Sequence, residues 1–416
     1  MWRLIYTILL HALLPFFLTF ALFKQKIRKN LKERLFPKGP ENGRDLFWIH
    51  AASLGEAVIA ENIIRRLLLR NRDLSFLVTT NTYYTRDLLR RRFGTETQVH
   101  SLPFDLPFSL RPFFKSSSFT ALLLVETEIW PNLIWMAHSR HIPVIIVNGR
   151  ISDSTFRHYR FFSFFFRRVF SSVNLIIAQS TQQAERFIQA GAVPSTVIAL
   201  GNLKYAREIG VSEETPAKEK SITFGSVKEK ELEILVPVIE RLKQAFPDYR
   251  IFVAPRELRI VDRLERAFSA GFRVARFSSC KDGEPTDAEL IIVDTVGDLL
   301  GLYSKSMVAF VGGSLAPYGG QNMLEPLFFA TPVLFGPYTD NFREIAEEIL
   351  SSGAGLVVTG ADDLYEGIIH VLRDDAVRQS MGRAGLAVVQ KQRDVLDKAL
   401  EHIWGNIWKN SQNSSN

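Results

Sequence analysis

Short apolar runs alternate with helical patterns along this chain, and the alternation starts twice. The first series opens with an apolar run, a Ser-x-x-Glu turn that ends at Glu56, and a long helical pattern. The second series opens in the same way, with a Ser-x-x-Glu turn that ends at Glu229. Strands that alternate with helices predict a parallel sheet covered on both faces. We therefore expect an α/β protein with two doubly wound, Rossmann-like domains that face each other across a cleft.

The same pattern sets the predicted domain boundaries. Residues 1–34 are predicted to form a membrane anchor and a basic stem, and residues 35–205 the first domain. A polar stretch over 206–220 indicates a linker, and 221–408 form the second domain. The Ser/Asn-rich residues 409–416 are predicted to be disordered. Strands are predicted at 47–51, 76–80, 121–125, 143–148, 175–178, 221–225, 250–254, 290–293, 307–311 and 332–335.

Charge is distributed unevenly between the two halves of the chain. Residues 1–205 contain 27 lysines and arginines against 13 acidic residues, a net charge of +14, whereas the remainder carries −7. This asymmetry indicates that the first half meets an anionic partner, for which nucleic acid, anionic lipid and an acidic substrate are candidates. The single cysteine, Cys280, excludes an internal disulfide and fits a reducing compartment.

The N-terminus favours a lipid surface among these partners. Residues 4–23 (LIYTILLHALLPFFLTFALF) carry no formal charge and are long enough to cross a bilayer. Six lysines and arginines follow between Lys24 and Arg34, and by the positive-inside rule they keep the remaining chain in the cytoplasm. We expect a single-pass N-terminal anchor, with a buried amphipathic helix as the alternative.

A second apolar and basic segment covers residues 156–170 (FRHYRFFSFFFRRVF). Such a segment can lie in the headgroup layer of a membrane, with its rings at the acyl boundary and its arginines on phosphates. It also suits a core helix with snorkelling arginines. The third possibility is a nucleic-acid groove, where aromatic and arginine side chains interleave in the same way.

Chemically active side chains recur where the predicted strands of the first half end. In an open α/β sheet, ligands bind at the carboxyl ends of the strands. Glu56 is either a general base for an incoming hydroxyl or only the third residue of a capping box. Glu126 and Glu128 follow a buried strand, where two carboxylates cost stability unless they have a function. Lys204 either offsets developing negative charge or is an ordinary surface lysine.

Two short segments of the second half are candidates for holding a nucleotide. Pro255 and Arg256 end a predicted strand and can present a guanidinium to a phosphate. Val296, Gly297 and Asp298 form a tight turn before a helix, which can hold a base or a phosphate through backbone groups.

A third candidate in the second half is the glycine-rich segment 312–326 (GGSLAPYGGQNMLEP), which we call the glycine loop. Glycines permit positive φ and the close approach of a ligand. Asn322, Met323, Leu324 and Glu325 are predicted to open a helix, with N–H groups for phosphate and Glu325 for ribose hydroxyls. Taken alone, the loop is either a sugar-nucleotide site or a plain turn. The sequence contains no Asp-x-Asp motif and no His/Cys cluster, which favours a donor held without a metal.

Six motifs resemble those of the 3-deoxy-D-manno-octulosonic acid (Kdo) transferases, in family order over nearly the whole chain. They lie at 48–56 (WIHAASLGE), 126–132 (ETEIWPN), 148–152 (NGRIS), 201–204 (GNLK), 312–326 and 334–342 (LFGPYTDNF). The resemblance implies a two-domain glycosyltransferase of the GT-B type. It would move Kdo from CMP-Kdo to a hydroxyl of the lipid A precursor, with inversion at the anomeric carbon.

The resemblance also implies no metal or other cofactor, no nucleic-acid partner, and a position at the cytoplasmic face of the bacterial inner membrane. By position, Glu56 matches the general base, whereas Glu126, Glu128 and Lys204 match residues that stabilise the transition state. The positions that match the CMP contacts are Pro255, Arg256, Val296, Gly297, Asp298, Asn322, Met323, Leu324 and Glu325.

The chain departs from the family pattern at three places. Gln321 stands where the family usually has histidine, and Glu257-Leu258-Arg259 replaces the histidine and the second arginine that usually follow Arg256. Ala206 stands where an acidic residue often follows the lysine motif. Two other functions stay open at this point. One is a GT-B enzyme with a UDP-sugar donor and another lipid-linked acceptor, and the other is a non-enzymatic membrane or nucleic-acid adaptor.

Overall fold

The computed structural model of the chain describes residues 2–23, 25–41, 45–93, 97–205, 217–280 and 287–413. Its contacts divide the chain into two compact units. The first unit comprises Met1–Arg207 and Gln392–Asn416, and the second comprises Glu208–Lys391. The predicted boundaries differ from this division at the C-terminus, because they placed residues 392–408 in the second domain. Most of the predicted linker, residues 206–216, lies outside the described residues.

The described part of the first unit is built on one parallel sheet. Its strands are β1 (Leu46–His50), β2 (Phe76–Thr80), β3 (Thr97–Ser101), β4 (Phe119–Val125), β5 (Val144–Gly149), β6 (Leu175–Ala178) and β7 (Val197–Ala199). They lie in the order β3-β2-β1-β4-β5-β6-β7. The helices are α1 (Trp2–Phe23), α2 (Gln25–Leu35), α3 (Leu54–Arg70), α4 (Tyr83–Phe93), α5 (Pro107–Ser116), α6 (Pro131–His138), α7 (Asp153–Phe161), α8 (Ser163–Phe170) and α9 (Thr181–Gln189).

Both faces of this sheet are covered, because successive side chains of a strand point to opposite faces. Along β1, Phe47 and Ile49 belong to one apolar core, which includes Ile63 of α3. Trp48 belongs to the core on the other face and stacks on Phe113 of α5, with 5.2 Å between ring centroids. The fully buried strands therefore read as continuous apolar runs, as expected for a parallel sheet.

The described part of the second unit contains a second parallel sheet of seven strands. They are β8 (Ser221–Val227), β9 (Arg250–Pro255), β10 (Val274–Arg276), β11 (Leu290–Ile292), β12 (Val308–Val311), β13 (Val333–Phe335) and β14 (Gly355–Val357). Their order is β10-β11-β9-β8-β12-β13-β14. The helices are α10 (Leu232–Ala245), α11 (Val261–Phe268), α12 (Leu299–Lys305), α13 (Leu324–Leu327), α14 (Arg343–Ser352), α15 (Ala361–Arg373) and α16 (Asp375–Asn413). The predicted fold class, two doubly wound α/β domains with an apolar N-terminal helix, is thus confirmed.

Helix α16 belongs to both units. Its later residues Leu396, Leu400 and Ile403 are fully buried or nearly so in the apolar core of the first unit that also contains Ile63. Arg66 of α3 donates two hydrogen bonds to the Asp397 carboxylate, at 2.9 and 2.6 Å. The helix extends to Asn413, so it enters the segment predicted to be disordered.

Helix α1 is long and apolar enough to cross a membrane. One side of it contacts the first unit: the ring of Tyr6 packs against Trp135 and Phe165, and Phe17 packs edge-on against Phe104. The opposite side, which includes Leu4 and Ile8, is exposed. The alternative of a buried amphipathic helix is therefore wrong, because most of this helix is exposed.

A close contact between β8 and α12 gives a test of this packing. A Cβ on Gly225 would lie 1.9 Å from the hydroxyl oxygen of Tyr303, whose side chain is fully buried. We expect Gly225→Ala to lower the thermal unfolding temperature, because overpacking costs about 1–3 kcal/mol. Gly301→Ala is the control: its Cβ would meet nothing within 4 Å, and alanine favours the helix. Equal unfolding temperatures for the two variants would contradict the packing.

Candidate active site

The first unit brings Glu56, Glu126, Glu128 and Lys204 to the same edge of its sheet. Glu56 lies in the first turn of α3, directly after β1, and Glu126 and Glu128 follow β4. Lys204 lies in a short 3₁₀ turn, Leu203–Tyr205, beyond β7. Strands β1 and β4 are neighbours at the point where the strand order reverses. Ligands of doubly wound sheets bind at this position.

Glu128 joins three segments at this edge. Its Oε2 atom lies 3.2 Å from Nε2 of His50, 3.1 Å from Nδ2 of Asn81 and 3.0 Å from Nε1 of Trp130. His50 is fully buried, and its Nδ1 lies 3.1 Å from the Thr79 hydroxyl. Burial raises the pKa of Glu128, but the donors from His50, Trp130 and Asn81 outweigh burial and bring it below its usual value. Glu128 is therefore an ionised carboxylate at neutral pH.

Glu56 lies in a different environment, although it belongs to the same cluster. Its side chain is 8% exposed, and its carboxylate accepts hydrogen bonds from the Ala52 amide at 2.7 Å and the Ser53 hydroxyl at 2.8 Å. Burial raises the pKa of Glu56 to about 7 against these two hydrogen bonds, and the charges of Glu128 and Glu126 add to the rise. A carboxylate with this pKa can take a proton from a substrate near neutral pH.

The capping interpretation of Glu56 also holds in part. The Ser53 hydroxyl accepts a hydrogen bond from the Glu56 amide at 3.3 Å, so Ser53 is the N-cap of α3. The Glu56 carboxylate, however, binds the Ala52 amide one residue before the cap. The amide of Glu56 therefore takes part in capping α3, whereas its carboxylate binds Ala52 and Ser53.

Glu126 adopts a left-handed backbone conformation, with a φ of 60°, where the chain leaves β4. Burial raises its pKa, although the positive charges of Arg150 and Lys204 oppose the rise. Lys204 is exposed, and the residue before it, Leu203, donates its amide to Oδ1 of Asn148 at 2.8 Å. Two cations therefore lie close enough to Glu126 to act on a negatively charged group at this edge.

In the second unit, the glycine loop is occupied by a carboxylate of the protein itself. Glu231 is fully buried, and its carboxylate accepts hydrogen bonds from the amides of Gly313, Ser314 and Leu315 at 2.8 to 2.9 Å. A fourth comes from the Lys228 amide at 2.9 Å. The N–H groups of residues 313–315 are therefore not free for a phosphate, whereas the phosphate contact predicted at Asn322 to Glu325 stays a prediction.

Two glycines of the loop, Gly312 and Gly313, make room for the Glu231 carboxylate. A Cβ on Gly312 would lie 2.8 Å from Oε2 of Glu231, and Gly313 has a φ of 70°. Only glycine allows the backbone to come so close to the carboxylate and adopt this conformation easily. The positive φ predicted for the loop is confirmed at Gly313, Gly319 and Gly320.

The end of the loop is only partly as predicted. Helix α13 has four residues, and Oδ1 of Asn322 accepts a hydrogen bond from the Leu324 amide at 3.2 Å. Nδ2 of Asn322 lies 3.3 Å from Oε1 of Glu325. The side chains of Met323 and Leu324 are buried in the unit. Asn322 and Glu325 are therefore the members of this segment whose side chains lie near the surface.

The other two predicted nucleotide segments lie at strand ends of the same sheet. Arg256 is exposed directly after β9, next to Pro255. Glu257, which departs from the family pattern, pairs with Lys228 at 2.5 Å and with Arg259 at 2.8 Å. This carboxylate is thus neutralised by two neighbouring cations.

The third of these segments forms an open turn. Val296 is 86% exposed, and Gly297 has a φ of 110°. The Thr295 hydroxyl donates to the Asp298 carboxylate at 2.6 Å. Among the described residues, no group of three or more His, Cys, Asp or Glu side chains is placed to hold a metal ion.

Sequence reasoning missed four residues that shape the first site. His50 is a polar residue in an otherwise apolar strand, which is a signal for a buried function. Asn81 directly follows β2, whereas His50, Trp130 and Asn148 appear in the sequence analysis only as members of the quoted motifs. Asn148 has a φ of 58° at the end of β5, a conformation that asparagine tolerates better than most residues.

Comparison with known proteins shows which family the chain resembles. The family model described as 3-deoxy-D-manno-octulosonic-acid transferase (kdotransferase) matches residues 29–207. The 3-deoxy-D-manno-octulosonic acid transferase of Haemophilus influenzae is 30% identical over 426 residues, covering 96% of this chain and 98% of the relative. That of Aquifex aeolicus is 30% identical over 375 residues, covering 89% and 96%. The chain spans 56% of a bifunctional glycosyltransferase/methyltransferase of Fusobacterium nucleatum, at 30% identity over 359 residues.

Solved structures support the fold. A UDP-GlcNAc 2-epimerase from Neisseria meningitidis bound to UDP-GlcNAc matches with a TM-score of 0.56 at 11% identity, covering 86% of this chain and all of that one. A glycosyltransferase from Rickettsia africae matches with a TM-score of 0.55 at 12% identity, covering 89% and 99%. At these identities the likeness concerns the fold alone.

The Glu231 contacts generate a prediction. Glu231→Ala would leave three buried N–H groups and the partly buried amide of Lys228 without their acceptor, and each buried loss costs about 1–3 kcal/mol. We expect a lower thermal unfolding temperature and faster hydrogen exchange at the amides of residues 313–315, measured by mass spectrometry. Glu233→Ala changes an exposed carboxylate in the first turn of α10 and serves as the control. Unchanged protection of these amides in Glu231→Ala would refute the role of the carboxylate.

Proposed function

The chain belongs to the Kdo transferase family, and we propose that it moves Kdo from CMP-Kdo to a hydroxyl of the lipid A precursor with inversion at the anomeric carbon. That it is a glycosyltransferase follows from its family. The donor, the acceptor and the stereochemistry are the proposal. The observation that carries it is the buried Glu56 carboxylate, whose pKa of about 7 suits a general base at a sheet edge lined with ionised groups.

The proposed reaction is one direct displacement. The acceptor hydroxyl oxygen attacks the anomeric carbon while its proton passes to the carboxylate of Glu56. The bond from the anomeric carbon to the phosphate oxygen breaks, and CMP leaves with the electron pair. Because the attack comes from the side opposite to the leaving group, the configuration inverts. Glu128 stays ionised, since its three donors stabilise the charged form.

The cations near Glu126 have a separate task in this scheme. Both the Kdo carboxylate and the departing phosphate are negative, and a fixed cation stabilises charge that develops during transfer. We propose Lys204 for this role, with Arg150 close to the same carboxylate. Glu126 holds the two cations near the edge of the sheet.

We propose that the second unit binds the CMP part of the donor without a metal. Arg256 supplies a guanidinium for the phosphate, and the open turn of Val296, Gly297 and Asp298 supplies backbone groups. Glu325, with Asn322 beside it, is proposed for the ribose hydroxyls. Because Glu231 already occupies the amides of residues 313–315, the phosphate is assigned to Arg256 rather than to the glycine loop.

We further propose that the protein acts at the cytoplasmic face of the bacterial inner membrane. The apolar exposed side of α1 supports attachment to lipid. Phe161 and Phe164, near the start of α8, are more than half exposed, and Phe164 packs against Trp2 of α1. These rings and the arginines of the same segment suit the headgroup layer.

One assay tests the function as a whole. Purified protein, CMP-Kdo and a tetra-acylated lipid A precursor are incubated, and the masses of the products are read by mass spectrometry. We expect the mass of the acceptor to rise by one or more Kdo residues, and Glu56→Gln to lower the rate at least about 100-fold, because it removes the base. Glu61→Gln, further along α3, is the control. A product formed with UDP-sugars but not with CMP-Kdo would overturn the proposed donor. Near-normal turnover of Glu56→Gln would overturn the proposed role of Glu56 as the base.

The raised pKa of Glu56 predicts the pH dependence. A general base works only when it is deprotonated, so kcat/KM should fall as the pH drops through about 7. Glu126→Gln removes one of the negative charges that raise this pKa, so the acidic limb of the profile should move to lower pH. The measurement is kcat/KM from pH 5 to 9 for both proteins. A wild-type kcat/KM that stays constant down to pH 5, as expected for a glutamate with its ordinary pKa of about 4.3, would contradict the assignment.

A further inference from the structure

A groove of about 540 Å³ runs between α1 and the rest of the first unit. Apart from Asp105, its lining is apolar or aromatic. The wall from α1 is formed by Tyr6, Leu10, Leu13, Leu14, Phe16, Phe17 and Phe20, and the opposite wall by Phe104, Asp105, Leu106 and Trp130. The volume lies within the range of about 300–1,000 Å³ that is usual for ligand sites.

The wall formed by α1 is fixed to the unit by polar contacts. The Tyr6 hydroxyl donates to Oδ2 of Asp105 at 3.0 Å, and the Thr7 hydroxyl donates to Oδ1 of Asn132 at 3.0 Å. Asp105 is buried and also accepts the amides of Asn132 and Leu133, at the start of α6. These buried hydrogen bonds hold the apolar helix in one register against the unit, because breaking them would leave buried polar groups unpaired.

The groove is not filled by the protein's own side chains. Leu13, Phe16 and Phe20 line it and are 51%, 74% and 53% exposed. Apolar surface gains about 25 cal/mol for every Å² removed from water, so an apolar ligand in the groove is stabilised. An exposed apolar patch of this kind marks a binding site or a membrane contact.

One end of the groove reaches the candidate active site. Trp130 lines the groove, and its Nε1 donates to the Glu128 carboxylate that belongs to the Glu56 cluster. The guanidinium of Arg34 lies 4.7 Å above the ring of Phe104, another wall residue, and donates to Oδ1 of Asn81 at 3.4 Å. A chain in the groove thus ends beside carboxylates and the half-buried Arg34, where the sugar of a phosphorylated glycolipid would lie.

The side of α1 that suits the bilayer is a different one. Leu4, Ile5, Ile8 and Phe23 are exposed and do not line the groove. The helix therefore has two apolar surfaces, one for bulk lipid and one that leads to Trp130.

From these contacts, we propose that the groove between α1 and Phe104–Leu106 binds a fatty-acyl chain of the glycolipid acceptor and holds its sugar at Glu56. This inference rests on the proposed function in that it takes the acceptor to be a lipid. Its occupant is an acceptor chain and not a chain of a bulk phospholipid, because the groove leads to the carboxylate cluster.

Leu10→Trp tests the groove by filling it with an indole ring. The full chain is assayed with the tetra-acylated acceptor and with the same phosphorylated disaccharide after its acyl chains have been removed. We expect the KM for the acylated acceptor to rise at least about tenfold, equivalent to losing roughly two buried methylene groups. The kcat/KM for the deacylated acceptor should equal that of the wild type.

Leu9→Trp is the matched control, because Leu9 is on the same helix, is 55% exposed and does not line the groove. It should leave both KM values unchanged. An equal rise for both acceptors in Leu10→Trp, or no rise for either, would overturn the inference. The deacylated acceptor also reports folding, since a misfolded variant would lose its turnover as well.

Photocrosslinking identifies the occupant. The probes are a tetra-acylated acceptor and a phosphatidylethanolamine, each with a diazirine on one acyl chain. Crosslinks of the acceptor to peptides of α1 and of residues 104–106, displaced by unlabelled acceptor, would support the proposal. Phosphatidylethanolamine crosslinks that the acceptor does not displace would refute it. If the wild type transfers Kdo to neither acceptor, the proposed function fails, whereas the crosslinks still decide what the groove binds.

Discussion

The hydrogen bonds that converge on the Glu128 carboxylate hold together the strand ends that carry the candidate active site of the first unit. They connect the end of β1 through His50, the end of β2 through Asn81 and the loop after β4 through Trp130. A half-buried carboxylate without such donors would be costly. With them, Glu128 is ionised while Glu56, buried with fewer donors, has a pKa near neutrality. Two neighbouring carboxylates with pKa values moved in opposite directions are the arrangement that acid–base catalysis needs.

The second unit uses the carboxylate of Glu231, which directly precedes α10 and lies two residues after the Ser-x-x-Glu turn, in a different way. Four backbone amides surround Glu231, so its oxygens are engaged in holding the glycine loop and not in chemistry. In the first unit, Glu56 accepts one amide and one hydroxyl. On the proposed function, the number of donors therefore separates the structural Glu231 from Glu56, the proposed base. It also explains why the loop needs glycine at 312 and 313, where the backbone meets Glu231.

The sequence predicted the central strands well and the edges of the sheets poorly. All ten predicted strands are present, and the four that were missed, β3, β7, β10 and β14, are the edge strands of the two sheets. Central strands are buried on both faces and read as apolar runs, whereas β10 is half-buried throughout and β3 alternates. The role of Glu231 was out of reach for another reason. Three of its four amide partners are more than 80 residues away, and a glycine-rich sequence does not reveal which anion its amides meet.

Helix α1 is a second case in which the sequence does not reveal the contacts of a segment and the structure does. Hydropathy cannot distinguish a helix that crosses a membrane from one that lies against a protein, since both are apolar. The polar contacts of Tyr6 and Thr7 with Asp105 and Asn132 make α1 part of the folded unit. A base in a folded domain must reach a hydroxyl of a lipid. Moving the acyl chains of that lipid into water costs a free energy of about 0.8 kcal/mol per methylene group. A groove that begins at the anchoring helix and ends at Trp130 keeps a chain in apolar surroundings while its sugar reaches Glu56. On this proposal, attachment to the membrane and recognition of the acceptor depend on the same helix.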